Sequence, residues 1–85
     1  MTRMRKGAVQ IRFEILEFLY YNKVPQLRTY VWRKATSLSY DDFLKHLSYL
    51  EDKGLVEETE DGSCKITYKG KEVFDELRNA LTSIL

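Results

Sequence analysis

The chain is poor in the residues that build metal sites and disulfide frameworks. Its 85 residues include one cysteine, Cys64, and one histidine, His46. A single cysteine cannot close an internal disulfide, and these two side chains are too few for the ligand set of an ordinary zinc site. Cys64 is expected to be a half-buried, unreactive thiol, with a disulfide to a second copy of the chain as the alternative. We therefore predict neither a metal nor a cofactor.

Long apolar runs and catalytic motifs are also missing. No segment approaches the roughly 18–20 apolar residues of a membrane span, and the N-terminus does not resemble a signal peptide. We therefore expect a cytoplasmic, intracellular protein without a membrane partner. The sequence has no glycine-rich phosphate loop, no nucleophile elbow and no paired metal-ligand spacing, which argues against an enzyme.

Positive charge is concentrated in the first part of the sequence. Residues 1–34 hold eight basic and two acidic side chains, whereas residues 35–85 hold six basic and eleven acidic ones. The overall net charge of +1 therefore hides a basic first part and an acidic second part. Such asymmetry favours an anionic partner for the first part. A solvated basic face that serves only solubility is the alternative.

Helical periodicity dominates the chain. Apolar side chains recur at three- and four-residue intervals and predict four helices, at residues 6–22, 26–35, 39–53 and 69–85, within a single domain of residues 1–85. Pro25 marks the boundary between the first two helices. The second helix is expected to direct Leu27, Tyr30 and Val31 inward.

The first and last helices carry more apolar surface than one small domain covers. The first has two apolar stripes side by side, and the last repeats apolar residues at the spacing of a coiled-coil seam. We therefore predict that each meets its counterpart across the two-fold axis of a homodimer. The predicted interface residues are Val9, Phe13, Leu16, Tyr20, Phe74, Leu77, Leu81 and Ile84.

The third helix and the segment after it have clear local boundaries. Ser39 is the predicted N-cap, and Gly54 is predicted to end the helix at the C′ position. Residues 55–68 form the predicted wing, with strands at 55–59 and 64–68 joined through the Asp61-Gly62 step. The order helix, helix, turn, helix, wing, helix predicts a mainly α fold with a small β-hairpin (α+β). It is that of a winged helix-turn-helix with an extended C-terminal helix.

Two stretches of the chain carry a family resemblance. The run KATSLSYDDFLKHLSYLEDKGLVEE at residues 34–58, followed by CKITYKGKEVFDEL at residues 64–77, resembles archaeal winged helix-turn-helix regulators of crenarchaeal genomes, plasmids and viruses. The matching elements are Leu38-Ser39-Tyr40, Leu47 and Leu50, Lys53-Gly54-Leu55, Ile66-Thr67 and Lys69-Gly70-Lys71.

The resemblance implies a function as well as a fold. Members of this family are homodimers, commonly held together by terminal helices, that place the third helix in the major groove of double-stranded DNA. It also implies transcriptional regulation without a cofactor, in the host cytoplasm for a viral member. The wing departs from a basic pattern because Glu57, Glu58, Glu60 and Asp61 surround its tip. We therefore do not expect the tip to enter the minor groove.

Contact with DNA is expected from four regions. A helix in the major groove presents its N-terminal residues to base edges while the preceding helix crosses the phosphates. Guanidinium and ammonium groups on the second helix, the wing and an N-terminal arm suit phosphate oxygens. The predicted DNA-binding residues are Arg28, Arg33 and Lys34; Ser39, Tyr40, Lys45, His46 and Tyr49; Lys65 and Lys69; and Arg3, Arg5 and Lys6.

A winged helix used for protein association is the competing hypothesis. The acidic second part of the chain and the acidic wing favour it, whereas the basic first part favours DNA.

Asp41 and Asp42 are expected to stabilise the first turn of the third helix through the helix dipole rather than to contact bases.

Overall fold

The computed structural model describes the backbone of residues 7–84 and the side chains of residues 7–81. The elements are α1 (Ala8–Tyr21), β1 (Gln26–Leu27), α2 (Arg28–Ala35), α3 (Tyr40–Asp52), β2 (Val56–Glu58), β3 (Ser63–Ile66) and α4 (Tyr68–Ile84). The predicted α+β class, with four helices and a small antiparallel sheet, is confirmed. Among the described residues, no helix combines the length and the apolar character needed to cross a membrane.

The sheet has three strands, whereas the sequence predicted a wing of only two. β1 pairs antiparallel with β3 through Gln26 opposite Cys64 and Leu27 opposite Ser63, and β2 pairs with the other edge of β3. The prediction that the second helix begins at residue 26 is wrong, because the backbone of Leu27 is extended and α2 begins at Arg28. A strand of two residues is too short to produce the alternation that identifies strands in a sequence.

Two residues expected to face inward from the second helix are exposed. Leu27 belongs to β1 and lies on its solvent side, and Tyr30 packs its ring beside Phe18 on the surface, with 5.9 Å between ring centroids. Val31 is the α2 residue that enters the core, where it is fully buried. Trp32 and Ala35 of the short α2 are partly buried and pack against the same core.

The core is formed by all four helices and one face of the sheet. Phe43, Leu47 and Leu50 of α3 are buried against Ile15 and Leu19 of α1. Burying each of these side chains stabilises the fold by about 1.5–3 kcal/mol. The remaining members of the core are Leu16, Val31, Val56, Cys64, Ile66 and Phe74. The position of α3 against α1 is thus set by apolar packing.

Cys64 is fully buried in β3 rather than half-buried as expected. Burial raises the pKa of its thiol to about 11, with the nearby Glu51 carboxylate acting in the same direction. The thiol is therefore protonated at neutral pH and unreactive in the folded protomer. A disulfide to a second copy would require β3 to open.

The second apolar stripe of α1 is largely covered by α4 of the same chain. Phe74 is buried between Phe13 and Tyr20, with ring centroids 5.1 and 4.5 Å away, and Leu16 is also buried. The assignment of Leu16 and Phe74 to a subunit interface is corrected by this packing, since neither side chain is accessible. Tyr20 also donates a hydrogen bond to Asp75 Oδ1 at 2.8 Å.

The turn between α2 and α3 is held by side-chain hydrogen bonds. Trp32 Nε1 donates to the Leu38 carbonyl at 2.7 Å, and the Thr36 hydroxyl donates to the Trp32 carbonyl at 2.8 Å. The ring of Tyr40 meets Trp32 edge-on, with 5.1 Å between centroids. These contacts fix the angle between the two helices.

Both predicted ends of α3 are observed. The Ser39 hydroxyl accepts a hydrogen bond from the Asp42 amide at 3.2 Å. At the other end Gly54 has φ +74°, and the amides of Gly54 and Leu55 donate to the carbonyls of Glu51 and Leu50, each at 2.9 Å. This pair of bonds is a Schellman motif, in which glycine tolerates the left-handed backbone.

The wing turn contains the predicted glycine in a three-residue loop. The amide of Gly62 donates to the Thr59 carbonyl at 3.1 Å, and the amide of Thr59 donates to the Ser63 carbonyl at 2.8 Å. Among the described residues only glycines have positive φ, and Gly62 is at +82°, so the loop is a type I turn followed by a left-handed glycine. Asp61 accepts from the Thr59 hydroxyl and the Ser63 amide, which lowers its pKa.

Thr67 connects the end of α3 to the start of α4. Its hydroxyl donates to the Gly54 carbonyl at 2.6 Å and accepts from the Gly70 amide at 3.0 Å. The second bond satisfies a free amide in the first turn of α4, so Thr67 acts as its N-cap.

Gly70 lies where two backbone segments meet. A Cβ on this residue would be 2.2 Å from the Leu55 carbonyl oxygen and 2.7 Å from Ile66 Cγ1. Beside it, Lys69 Nζ donates to the Lys53 carbonyl at 2.9 Å. The Lys-Gly-Leu, Ile-Thr and Lys-Gly elements of the resemblance therefore form one structural junction, which explains why they indicate the fold.

Candidate nucleic-acid interface

The solvent-facing side of α3 is acidic. Asp41, Asp42, Lys45, Ser48 and Asp52 are exposed and follow helical spacing along one face. Three carboxylates against one ammonium give this face a net negative charge, which repels phosphate. Attraction to DNA must therefore come from neighbouring elements.

Lys45 is paired with a carboxylate of its own helix. Its ammonium lies 3.8 Å from Asp42 Oδ1, and the two side chains are 79% and 57% exposed. Such an exposed pair contributes at most about 1 kcal/mol and dissociates readily when a phosphate competes. Lys45 is therefore available to DNA, although its charge is partly offset.

Two other predicted cations are paired with acids of β2. Lys65 Nζ lies 3.1 Å from Glu57 Oε1, directly across the sheet, and Arg28 Nη2 lies 3.6 Å from Glu58 Oε1. Near Arg28, burial and the charge of Glu58 raise the pKa of Glu51. These pairs direct Arg28 towards the sheet and reduce the attraction of the wing for phosphate.

Arg33 and Lys34 lie exposed in the last turn of α2 and form no ion pair with any carboxylate in the described part of the chain. Lys34 faces α1, where its ammonium is 5.7 Å from the Tyr30 ring centroid and shares a groove with Glu14 and Glu17. Arg33 does not line that groove. It is the predicted α2 cation whose charge is least compensated.

The predicted aromatic and histidine contacts of α3 are partly covered, which corrects their expected exposure. Tyr40 is half-buried against Trp32. His46 is half-buried, its Nδ1 atom is buried without a hydrogen-bond partner, and burial followed by the charge of Arg12 lowers its pKa. His46 is therefore neutral at pH 7 and adds no positive charge to the face.

Tyr49 remains partly exposed, but one face of its ring is occupied. The guanidinium carbon of Arg12 lies 3.6 Å from the ring centroid, and the ammonium of Lys53 lies 5.4 Å from it. At this position α3 therefore presents a tyrosine ring that has an arginine of α1 stacked on one face.

The predicted DNA-binding residues do not form a single cluster. Ser39 lies at the N-terminal end of α3, whereas Lys69 binds the Lys53 carbonyl at the C-terminal end, about 20 Å away for a helix of 13 residues. Lys69 thus belongs to the structural junction. Arg3, Arg5 and Lys6, the predicted N-terminal arm, lie outside the described residues.

Comparison with known families resolves the identity of this fold. The family model described as winged helix-turn-helix matches residues 5–84. The chain belongs to the winged helix-turn-helix family. Comparison with curated proteins and with solved structures finds no significant match. The family suggests binding of double-stranded DNA, for which α2 and α3 are the helix-turn-helix pair.

The winged-helix site includes one residue that the sequence prediction omitted. Arg12 contacts Tyr49 across 37 positions of the chain, so no local pattern could have revealed the pair. The signal that was present is weaker: Arg12 is a basic residue within the otherwise largely apolar middle of the first helix.

Side chains that could bind a metal ion are dispersed in the described part of this winged helix. Among those residues, no three side chains of histidine, cysteine, aspartate or glutamate are grouped to hold a metal ion. The expected absence of a cofactor stays a prediction.

Proposed function

We propose that this protein is a transcriptional regulator that binds double-stranded DNA sequence-specifically as a homodimer. α3 occupies the major groove, its N-terminal residues Ser39 and Lys45 contact base edges, and Arg33 of α2 binds phosphate. The protein acts in the cytoplasm without a cofactor and without enzymatic activity. An archaeal origin, in a crenarchaeal genome, virus or plasmid, is part of the same proposal.

The observation that carries this proposal is the exposed, uncompensated charge of Arg33 beside a rigid α2–α3 turn. The guanidinium matches the geometry of phosphate oxygens. The bonds from Trp32 and Thr36 hold the two helices at a fixed angle, so a phosphate contact by α2 also positions α3. Phosphate contacts of this kind orient a protein on the duplex, and residues of the groove helix then select the sequence.

The homodimer is supported by apolar surface that the protomer leaves uncovered. Val9, Leu77 and Leu81 are 74%, 38% and 51% exposed. They lie on the first and last helices, which pack against each other through Phe13 and Phe74. Phe13 and Tyr20 border this region, and the side chain of Ile84 lies outside the described residues.

Selection from random duplex DNA tests the proposal. We expect enrichment of an inverted repeat whose half-sites are separated by about 10 base pairs, or a multiple, because a two-fold dimer presents two copies of α3 to one side of the duplex. Leu81→Asp places a charge at the proposed interface and should give a monomer by light scattering that enriches no paired half-sites. Glu76→Asp is the matched control on the same helix, since it keeps an exposed acid and should behave as the wild type. Enrichment of no sequence at all, or an unchanged repeat with monomeric Leu81→Asp, would contradict the proposal.

A protein-association module without direct DNA binding is the second candidate. The acidic outer face of α3 and the carboxylates of the wing favour it, since this surface suits a basic protein partner. The two functions differ in their response to salt in the presence of duplex DNA, because only DNA binding releases the counterions condensed on phosphates.

A further inference from the structure

An arginine from α1 lies on the outer flank of α3. The guanidinium carbon of Arg12 is 3.6 Å from the centroid of the Tyr49 ring, which is the distance of direct stacking. Lys53, one helical turn further along α3, has its ammonium 5.4 Å from the same ring. Tyr49 thus brings together two positive charges, one from each helix.

The guanidinium is oriented by its surroundings. Arg12 Nε is buried without a hydrogen-bond partner, and the two terminal nitrogens are not among the buried unpartnered atoms in the described part of the chain. Among residues 7–81 no hydrogen bond engages those terminal nitrogens, so both reach solvent. Stacking on a ring fixes the plane of the fork. The Nε end of the guanidinium is therefore held against the protein, and its two terminal NH2 groups face solvent.

The charge of Arg12 is not offset locally. No described carboxylate forms an ion pair with it, and Asp42, whose charge acts on the neighbouring His46, is paired with Lys45 at 3.8 Å. Its other titratable neighbour, His46, has a lowered pKa and is neutral at pH 7. The flank of α3 formed by Arg12, Tyr49 and Lys53 is therefore positive, whereas the centre of the helix face is acidic.

We propose that Arg12 binds a DNA phosphate at the edge of the groove occupied by α3, and that Tyr49 is the positioning residue that holds its guanidinium outward. This inference rests on the proposed function, since it needs α3 to lie on duplex DNA. An outward fork of two N–H donors fits the two unesterified oxygens of a phosphate. A cation on the flank of α3 also compensates for the acidic residues that face the bases. Tyr49 then contributes to binding through its ring and not through its hydroxyl.

The test measures the affinity for one duplex as a function of salt for wild type and variants. Arg12→Gln should weaken binding roughly fivefold to tenfold for each copy, as expected for one solvent-competed bond to a charged group, and therefore by about 25-fold to 100-fold in the homodimer. For each lost phosphate contact the slope of log affinity against log salt should become less steep by about 0.9. Lys71→Gln removes one exposed charge from α4 and should leave the slope unchanged. A structural role of Arg12 would change the melting temperature but not the slope.

Variants of Tyr49 test the positioning role separately. Tyr49→Phe keeps the ring and should bind as the wild type, whereas Tyr49→Ala should lose affinity and slope to nearly the same extent as Arg12→Gln. Should Arg12→Gln fail to fold, Arg12→Lys keeps the charge without the stacked fork and should retain the slope with a few-fold weaker binding. A wild-type slope in Arg12→Gln, or equal losses in Tyr49→Phe and Tyr49→Ala, would overturn the inference. Absence of salt-dependent duplex binding by the wild type would overturn the proposed function itself, before any variant is compared.

Discussion

Gly70→Ala is expected to lower the free energy of unfolding by about 3 kcal/mol, the upper part of the range for overpacked sites. The added Cβ would lie 2.2 Å from the Leu55 carbonyl oxygen, and that atom belongs to backbone that cannot rotate away. The same carbonyl accepts a hydrogen bond from the Thr67 amide at 3.0 Å, so relief of the clash requires α4 to move away from the end of α3. Urea-induced unfolding followed by circular dichroism measures the effect.

Gly7→Ala is the matched control for this substitution. A Cβ on Gly7 has nothing within 4 Å, and the residue precedes α1 at an exposed position. Gly7 is the N-cap of α1, where alanine is less favourable than glycine, so its substitution should lower the free energy of unfolding by no more than about 1 kcal/mol. Equal stability of the two variants would show that the junction between α3, β2 and α4 is not as tightly packed as described.

Arg33→Glu is expected to weaken binding to every duplex by roughly 100-fold at moderate salt. The reversal removes an attractive contact and adds a repulsive one, and a homodimer carries the change twice; each copy then costs about 1.4 kcal/mol, or tenfold. Because phosphate contacts carry no sequence information, the ranking of different operators should be unchanged. Fluorescence anisotropy with a selected and a scrambled duplex measures both quantities.

Lys23→Glu separates a local contact from a change in total charge. It alters the net charge of the protein equally, but Lys23 lies after α1, in a groove shared with Tyr68 and Lys71 of α4. Its effect should be small and should vanish above physiological salt, since the Debye length is then below about 8 Å. Equal effects of Lys23→Glu and Arg33→Glu would mean that Arg33 is not at the interface.

Local signals were sufficient wherever one or two residues determine the backbone. Ser39 accepts the hydrogen bond that its position at the start of α3 predicted, and Gly54 adopts the left-handed conformation expected at the end. Gly62 was correctly placed in the wing turn, although the turn is a three-residue loop. Each of these features depends on chemistry within a few residues, which a sequence displays directly.

Features that depend on distant partners were missed. β1 consists of two residues, and it is a strand only because Gln26 and Leu27 find β3 after the chain has passed through α2 and α3. Leu16 and Phe74 have the pattern of interface residues, but α4 folds back and buries them within the protomer. Periodicity indicates that a side chain is buried and does not indicate by which chain.

In the candidate site, too, local features were predicted and contacts between distant residues were missed. The sequence already indicated an acidic wing, but the pairing of Arg28 with Glu58 and the stacking of Arg12 on Tyr49 link positions 30 and 37 residues apart. Arg28 is paired with an acid of the wing, so the uncompensated positive charge lies on Arg33 of α2 and on Arg12 beside α3. The anionic partner that the basic first part of the chain predicts stays a prediction, and the structure shows where the described charges Arg12, Arg28 and Arg33 lie.

The acidic face of α3 opposes the approach of DNA phosphates in the proposed function. Three exposed carboxylates lie on the helix that is proposed to enter the major groove. Carboxylates can accept hydrogen bonds from cytosine amino groups, which makes such a face compatible with selective contacts. Their repulsion of phosphate means that affinity must depend on the surrounding cations and therefore on salt.

The salt dependence of duplex binding by the wild-type protein tests the central claim most directly. With three or four cations of each protomer on phosphates, affinity should fall by about a thousandfold or more between 50 and 200 mM salt. The slope of log affinity against log salt should be about −5 or steeper. Binding that is absent at 50 mM salt, or that does not change with salt, would contradict DNA binding by this winged helix and favour the protein-association function.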